Sequence, residues 1–165
     1  MMMRYFTLII YVVIFVANTL VPVYSQSSYI VDSVINLINI TSDNDTLKPK
    51  YINDLVWRIK FSNPDTSLLL LDESEELSKK LDFADGLGNS YNARAVIYTV
   101  QGEFDKALKY YRLAIEQFRR INDPHGEAFC IGNIGTLYNF QSNFDSLPYY
   151  NLQALKIRQE NHLEK

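Results

Sequence analysis

Three side chains in this sequence have the chemistry of a metal ligand or of a nucleophile with its base: Cys130, His125 and His162. A zinc site draws on several Cys, His or acidic ligands at short, regular spacing. Here one Cys stands with two His, and no His-x-x-x-His pair occurs. Cys130 falls in the middle of an apolar-periodic stretch, where a free Cys behaves as a small buried apolar side chain. A Cys/His nucleophile would require it to reach a remote histidine. A single Cys also excludes an intramolecular disulfide. Glu103, Asp105 and Asp145 invite a two-acid mechanism, but each stands at the start of an expected helix, where an acid complements the helix dipole or caps the end. Residues 72–76 (DESEE) are oxygen-rich yet lack the glycine turn and ligand spacing of a calcium loop, and read as a solvated face. Arg119 and Arg120 suit the C-terminus of a helix. Gly86-Leu87-Gly88 supplies two glycines at a helix start, short of a phosphate-cradling loop. The expectation is a protein without catalytic residues, cofactor or metal.

Composition narrows the classes further. The 165 residues carry a formal net charge of −3, which argues against a binder that tracks nucleic-acid phosphates. With 47% hydrophobic residues there is enough apolar surface to offset the entropy of ordering. Only 6 Gly exclude a collagen-like chain. Twelve Tyr and 9 Phe are a heavy aromatic load, and most of it is periodic.

Residues 1–25 read as an address. Arg4 precedes the apolar run 5–17 (YFTLIIYVVIFVA), and a small-residue site follows at Val23-Tyr24-Ser25. This is the charged, apolar and cleavable succession of a secretory signal, with cleavage before Gln26. Pro22 ends the helix of the apolar run. The competing reading is an uncleaved anchor, since no charge occurs between Arg4 and Asp32; a span needs roughly 20 apolar residues. Asn18, Thr19 and Pro22 interrupt the run. Export to a periplasmic or extracellular space is expected, with membrane contact only if the segment stays. Asn39-Ile40-Thr41 and Asn44-Asp45-Thr46 match the glycosylation tripeptide, which matters only in a eukaryotic secretory host.

The main signal is an internal repeat. Residues 86–125 align on 126–165 without a gap. Identities fall at Gly86/Gly126, Tyr98/Tyr138, Gln101/Gln141, Phe104/Phe144, Asp105/Asp145, Tyr110/Tyr150 and Ala114/Ala154. A weaker copy occupies 46–85, where Tyr51, Asp65 and Leu68 match Tyr91, Asp105 and Leu108. Each unit reads as two helices. Tyr91, Ala95, Tyr98 and Val100 are spaced for one face of the first, and Gly102 breaks the pattern. Phe104, Ala107, Leu108, Tyr111, Ala114, Ile115 and Phe118 continue it at i, i+3, i+4, i+7 on the second. Asn122-Asp123-Pro124 ends that helix, and Pro124 opens the next. The spacing predicts seven helices: about 27–40, 46–60, 64–82, 85–101, 104–121, 124–141 and 144–161, with a polar break at 41–45. Small residues at Ala95, Ala107, Ala114, Gly135 and Ala154 let helix axes approach closely. Tyr98, Phe104, Tyr111, Tyr138 and Phe144 are expected to fill the wedge between units. No unit can bury its face alone, so units must stack.

The pattern small-x-x-Tyr-x-x-x-Gly-x-Phe-x-x-Ala-x-x-x-Tyr-x-x-Ala runs from Ala95 to Ala114 and resembles the tetratricopeptide repeat in a form of about 40 residues. Gly135, Tyr138, Phe144 and Ala154 hold the same positions in the next unit. Ser142, Leu147 and Asn151 depart from the pattern, Pro148 lies in the first turn of its helix, and Ser67 and Ser74 stand where the first unit would carry Ala. The resemblance covers about 46–165 and implies an all-α solenoid: three hairpins (46–85, 86–125, 126–165) behind a leading segment, 26–45. Asn53 to Trp57 is similar to the opening helix of repeat arrays on exported bacterial sensory proteins.

The resemblance also implies a concave groove lined by the first helix of each unit. Its candidates are Asn89, Asn92, Val96, Thr99 and Val100, then Phe129, Gly132, Thr136, Asn139 and Phe140. This lining is amide, hydroxyl and apolar, and suits an extended or helical peptide. Two functional expectations remain open: a non-enzymatic, exported protein-interaction module of unidentified partner, or the extracytoplasmic sensor part of a longer signalling protein. Leu152, Leu155 and Ile157 on the last helix have no following unit in this sequence. A longer array, or a homodimer through that helix, would cover them. If the signal is cleaved, N-terminal sequencing of the protein recovered from its native host begins at Gln26; a chain that starts at Met1 and sediments with membranes indicates an anchor instead.

Overall fold

The computed structural model describes residues 29–162, and the N-terminal pattern of 1–25 lies outside them. The described residues form seven helices: α1 (29–40), α2 (Leu47–Ile59), α3 (Pro64–Lys80), α4 (Ala84–Val100), α5 (Phe104–Arg120), α6 (Pro124–Phe140) and α7 (Ser146–Glu160). Among them, no helix is long and apolar enough to cross a membrane. Pro64 and Pro124 each occupy the first helical position of their helix, where the missing N–H is one that would lack a partner anyway.

The turns repeat with the chain. Asp82, Gly102, Asn122 and Ser142 adopt φ of 51°, 79°, 53° and 59°, one left-handed residue every twenty. At each, the following N–H closes back on the helix: Phe83 to Ser78 O at 2.8 Å, and Glu103 to Tyr98 O, Asp123 to Phe118 O and Asn143 to Tyr138 O at 2.9 Å each. Together with the shorter bonds from the left-handed residues themselves, these are Schellman closures that satisfy the last carbonyls of α3 to α6. Glycine supplies this conformation at 102 without steric cost; Asp, Asn and Ser supply it at the other three.

Packing follows from which helices touch. Each helix from α2 to α7 packs on its neighbour in sequence. In addition α2 packs on α4, and α4 on α6, whereas α3, α5 and α7 do not pack on one another. The first helices of the three hairpins therefore form a close inner row and the second helices splay outside it, which curves the stack toward α2, α4 and α6. α4 is buried on most of its circumference because it faces both adjoining hairpins. Ala93 and Ile97 join a core with Val34, Ile52, Val56 and Leu71, while Tyr91 and Ala95 join a second core with Tyr111, Phe118, Ile131 and Ile134.

Small side chains set the helix separations. Ser67, Ser74, Ala95, Ala107 and Ala114 are fully buried, and Ala154 nearly so. A Cβ on Gly135 would lie 3.2 Å from Cβ of Tyr150 on α7. Phe118 is held between two glycines: a Cβ on Gly88 would stand 3.0 Å from its ring, and one on Gly126 2.5 Å. Among the expected wedge aromatics, Tyr111 is buried, Tyr98 and Phe104 pack against the core, and Tyr138 stacks on Tyr150 with centroids 5.2 Å apart. Phe144 does not join them. α7 begins at Ser146, two residues later than the repeat predicts, so Phe144 lies in the turn and is 63% exposed. Leu152 and Leu155 are exposed on α7, while Ile157 is packed against the core.

Buried polar groups tie the hairpins together. Asn53 on α2 donates from Nδ2 to Gly86 O at 2.9 Å, and its Oδ1 accepts from Ser74 (3.1 Å) and Ser90 (2.9 Å), which also lie 2.9 Å from each other. α2, α3 and α4 thus share one satisfied cluster. Arg94 is also buried; its Nε donates to Glu75 at 2.7 Å and its Nη2 to Asp72 at 2.6 Å, and its guanidinium stands 5.4 Å from the Tyr110 ring centre. Burial pulls the Arg94 pKa down, but the two carboxylates more than offset it and hold the group above its ordinary value. Half of the acidic run 72–76 is therefore an ion-pair anchor for α4, not the solvated face its composition suggests. Capping departs from expectation too: Asp145 has helical φ and ψ and accepts no capping bond, whereas Asp123 accepts from the N–H groups of His125 and Gly126.

Two outcomes follow from this core. Gly126→Ala drives a methyl group into the Phe118 ring, and should lower the unfolding free energy by about 1–3 kcal/mol, read from the urea midpoint. Burial pushes the Tyr111 hydroxyl up to about 12, with the Thr99 bond working in the opposite direction. The unfolded chain then gives up this proton first, so its contribution is fully present below about pH 10 and is lost as pH rises toward 12. Cys130, also raised by burial, acts in the same direction. Tyr111→Phe should flatten the alkaline fall in stability by up to about 1.4 kcal/mol per pH unit; an unchanged slope would place the ring hydroxyl in water.

Candidate functional site

Curvature brings α2 and α6 within reach of each other across α4. Trp57 on α2 and Phe129 on α6 meet with ring centroids 6.2 Å apart and planes tilted by 58°. Beside this bridge lies a cleft of about 330 Å³. Its apolar lining comes from Trp57, Phe129, Phe118 and Gly126, and its polar lining from Asp85, Asn89, Asn92, Asp123 and His125. The glycine contacts of Phe118 thus have a second effect, since they fix a buried ring that forms part of the cleft wall.

Each polar group arrives on a helix of the inner row or, for Asp123, at the residue that caps one. Asp85 and Asn89 stand one turn apart on α4, and the Asn89 Nδ2 donates to the Asp85 carbonyl at 2.8 Å and to its Oδ1 at 2.9 Å. Asn92 is 1% exposed, and its Oδ1 accepts from Asn133 on α6 at 3.0 Å. That bond crosses between α4 and α6 at the cleft. Asp123 holds the N-terminus of α6 through Oδ1, at 3.0 Å from the His125 N–H and 3.1 Å from that of Gly126. Lys60, at the end of α2, rests 4.1 Å above the Trp57 ring and donates to the Trp57 carbonyl at 2.7 Å. Burial holds its pKa below the ordinary value.

The expected groove residues divide into three groups. Asn89, Asn92 and Phe129 line the cleft together. Val100, Thr136, Asn139 and Phe140 are exposed further along α4 and α6, with Gly132 half-buried. Val96 is half-buried and packs against the core. Thr99 is not a groove residue. It is buried, donates to the Ala95 carbonyl at 2.9 Å, and meets the Tyr111 hydroxyl at 3.3 Å. A helical register places Thr99 and Asn92 on one side, seven residues apart, but the approach of α5 covers that end of the stripe. The sequence does not place Trp57, Asp85, Phe118, Asp123 or Gly126 in the groove, and it offers His125 only as a metal or catalytic candidate. Trp57, the one tryptophan, was the available signal, a large ring on an otherwise amphipathic first helix.

Among the described residues no group of three or more His, Cys, Asp or Glu is placed to hold a metal ion. Cys130 is buried, and burial raises its thiol well above the ordinary range, so it stays protonated and unreactive at neutral pH.

Residues 86–160 match the family described as tetratricopeptide repeat. Among solved structures the chain is similar to BtubC (BKLC) from P. vanneervenii, at 23% sequence identity and a TM-score of 0.60, over 70% of this chain and 48% of that one. The chain spans about half the length of that structure, and the likeness is one of fold. No curated protein matches the sequence.

Proposed function

We propose, on the premise that this chain carries tetratricopeptide repeats over residues 86–160, that it is a protein-interaction module whose concave side holds a peptide. Repeats of this kind act by rigid display of a surface built from several units. The observation that carries the reading is the cleft beside Trp57 and Phe129. It is formed by all three hairpins, it mixes aromatic walls with amide and carboxylate groups, and it lies on the inner row. Such a mixture orients a peptide through a few polar contacts while apolar walls supply the affinity. Val100 and Phe140, at the far ends of α4 and α6, are exposed apolar side chains too. Export belongs to this proposal, supported by the charged and apolar succession in residues 1–25.

A randomised peptide library selected against the full chain tests it. Enriched peptides should bind competitively with one another and shift the emission of Trp57, the single tryptophan. Phe129→Ala, at a position already 41% exposed, should weaken them about tenfold or more while leaving helicity unchanged. A selection that enriches nothing, or peptides indifferent to Phe129→Ala, would end the peptide-groove reading.

A further inference from the structure

We infer that the cleft beside Trp57 and Phe129 takes an arginine side chain of the bound peptide, an inference that rests on the peptide-binding reading above. Size comes first. At about 330 Å³ the cleft stands at the low end of the roughly 300–1,000 Å³ of ligand pockets, room for one anchoring side chain. Chemistry then selects the side chain. A purely apolar anchor would lie against the aromatic wall but strip water from Asp85, Asp123 and Asn89 without replacing its hydrogen bonds. An acidic anchor would meet two carboxylates of its own sign. A basic side chain satisfies both halves, with its stem on the aromatic rings and its head at the carboxylates.

The charge balance points the same way. Asp85 and Asp123 are the only Asp or Glu lining the cleft, and no Lys or Arg lines it. Both lie at helix N-termini, each of which contributes about half a positive charge. Two carboxylates outweigh two half-charges and favour a cation there, beside His125, which also lines the cleft. Each carboxylate also keeps an oxygen for a ligand, since Asn89 and the α6 N–H groups use Oδ1 in both cases. Two lysines stand nearby. Lys50 Nζ is 3.9 Å from Asp85 Oδ2, a loose pair between half-exposed groups that contributes little and exchanges readily. Lys60 lies over the Trp57 ring and opposes a second cation there, so the guanidinium belongs on the Phe129 side, next to the carboxylates. Arginine fits this place better than lysine because its planar, weakly hydrated head stacks on a ring and donates in a fork.

The test uses the peptides selected against the full chain. Each is resynthesised with arginine replaced by lysine or by neutral, isosteric citrulline. The inference expects citrulline to weaken binding about tenfold or more and lysine to weaken it less. Asp85→Asn combined with Asp123→Asn should erase the arginine preference and flatten the salt dependence; Asn is as good an N-cap as Asp, so α6 keeps its cap. N-acetyl-argininamide alone should perturb Trp57 emission in the wild type and not in the double variant. Peptides that need Phe129 yet carry no arginine, or tolerate citrulline, overturn the inference and leave the interaction reading standing. A selection that yields no binding peptide overturns the reading, and the inference with it.

Discussion

Two helices approach only as closely as the bulkiest side chain between them permits, and this structure depends on that limit being kept small at fixed intervals. Ser67 and Ser74 on α3, Ala107 and Ala114 on α5, and Ala154 on α7 occupy equivalent places in three hairpins, and all are buried. Close approach there lets α2, α4 and α6 touch one another as an inner row. Without that row there is no curvature, and without curvature Trp57 and Phe129 do not meet. The candidate cleft is thus a product of small residues that lie outside its lining.

The first hairpin meets the same limit with hydroxyls. A serine in a helix interior competes for backbone carbonyls and needs a partner when buried. Ser74 finds Ser90 and Asn53, and Asn53 in turn binds the backbone of α4. This cluster and the Arg94 pairs with Asp72 and Glu75 make the junction of the first two hairpins directional as well as close. An apolar contact tolerates sliding; a satisfied polar cluster does not.

Period and helix faces were legible in the sequence because small residues, aromatics and turn residues recur in register, and because the left-handed residues 82, 102, 122 and 142 mark the helix ends. What was not legible depended on distances between hairpins. Asp72 and Glu75 look like solvated acids until Arg94 arrives from another helix. Thr99 looks like a groove residue until α5 covers it. Phe144 looks like its counterpart Phe104 until the late start of α7 leaves it in a turn. Trp57 stands out as the single tryptophan, but its own unit does not show what it meets, since its partner lies two units away. Periodicity assigns a residue to a face, but only superhelical geometry says what that face meets.

Trp57 and Phe129 sit in the first and third hairpins, so their separation sums whatever happens at the two junctions between them. A rotation of a few degrees at either junction, too small to disturb local packing, is carried along a lever of helix-bundle length before it reaches the rings. The pair therefore reads the bend of the whole stack in the way a caliper reads a diameter. Moving the rings apart must flatten the arc, and anything that tightens the arc elsewhere presses them together. Ring separation and curvature are one mechanical variable in this protein, and the indole that senses it is its single tryptophan.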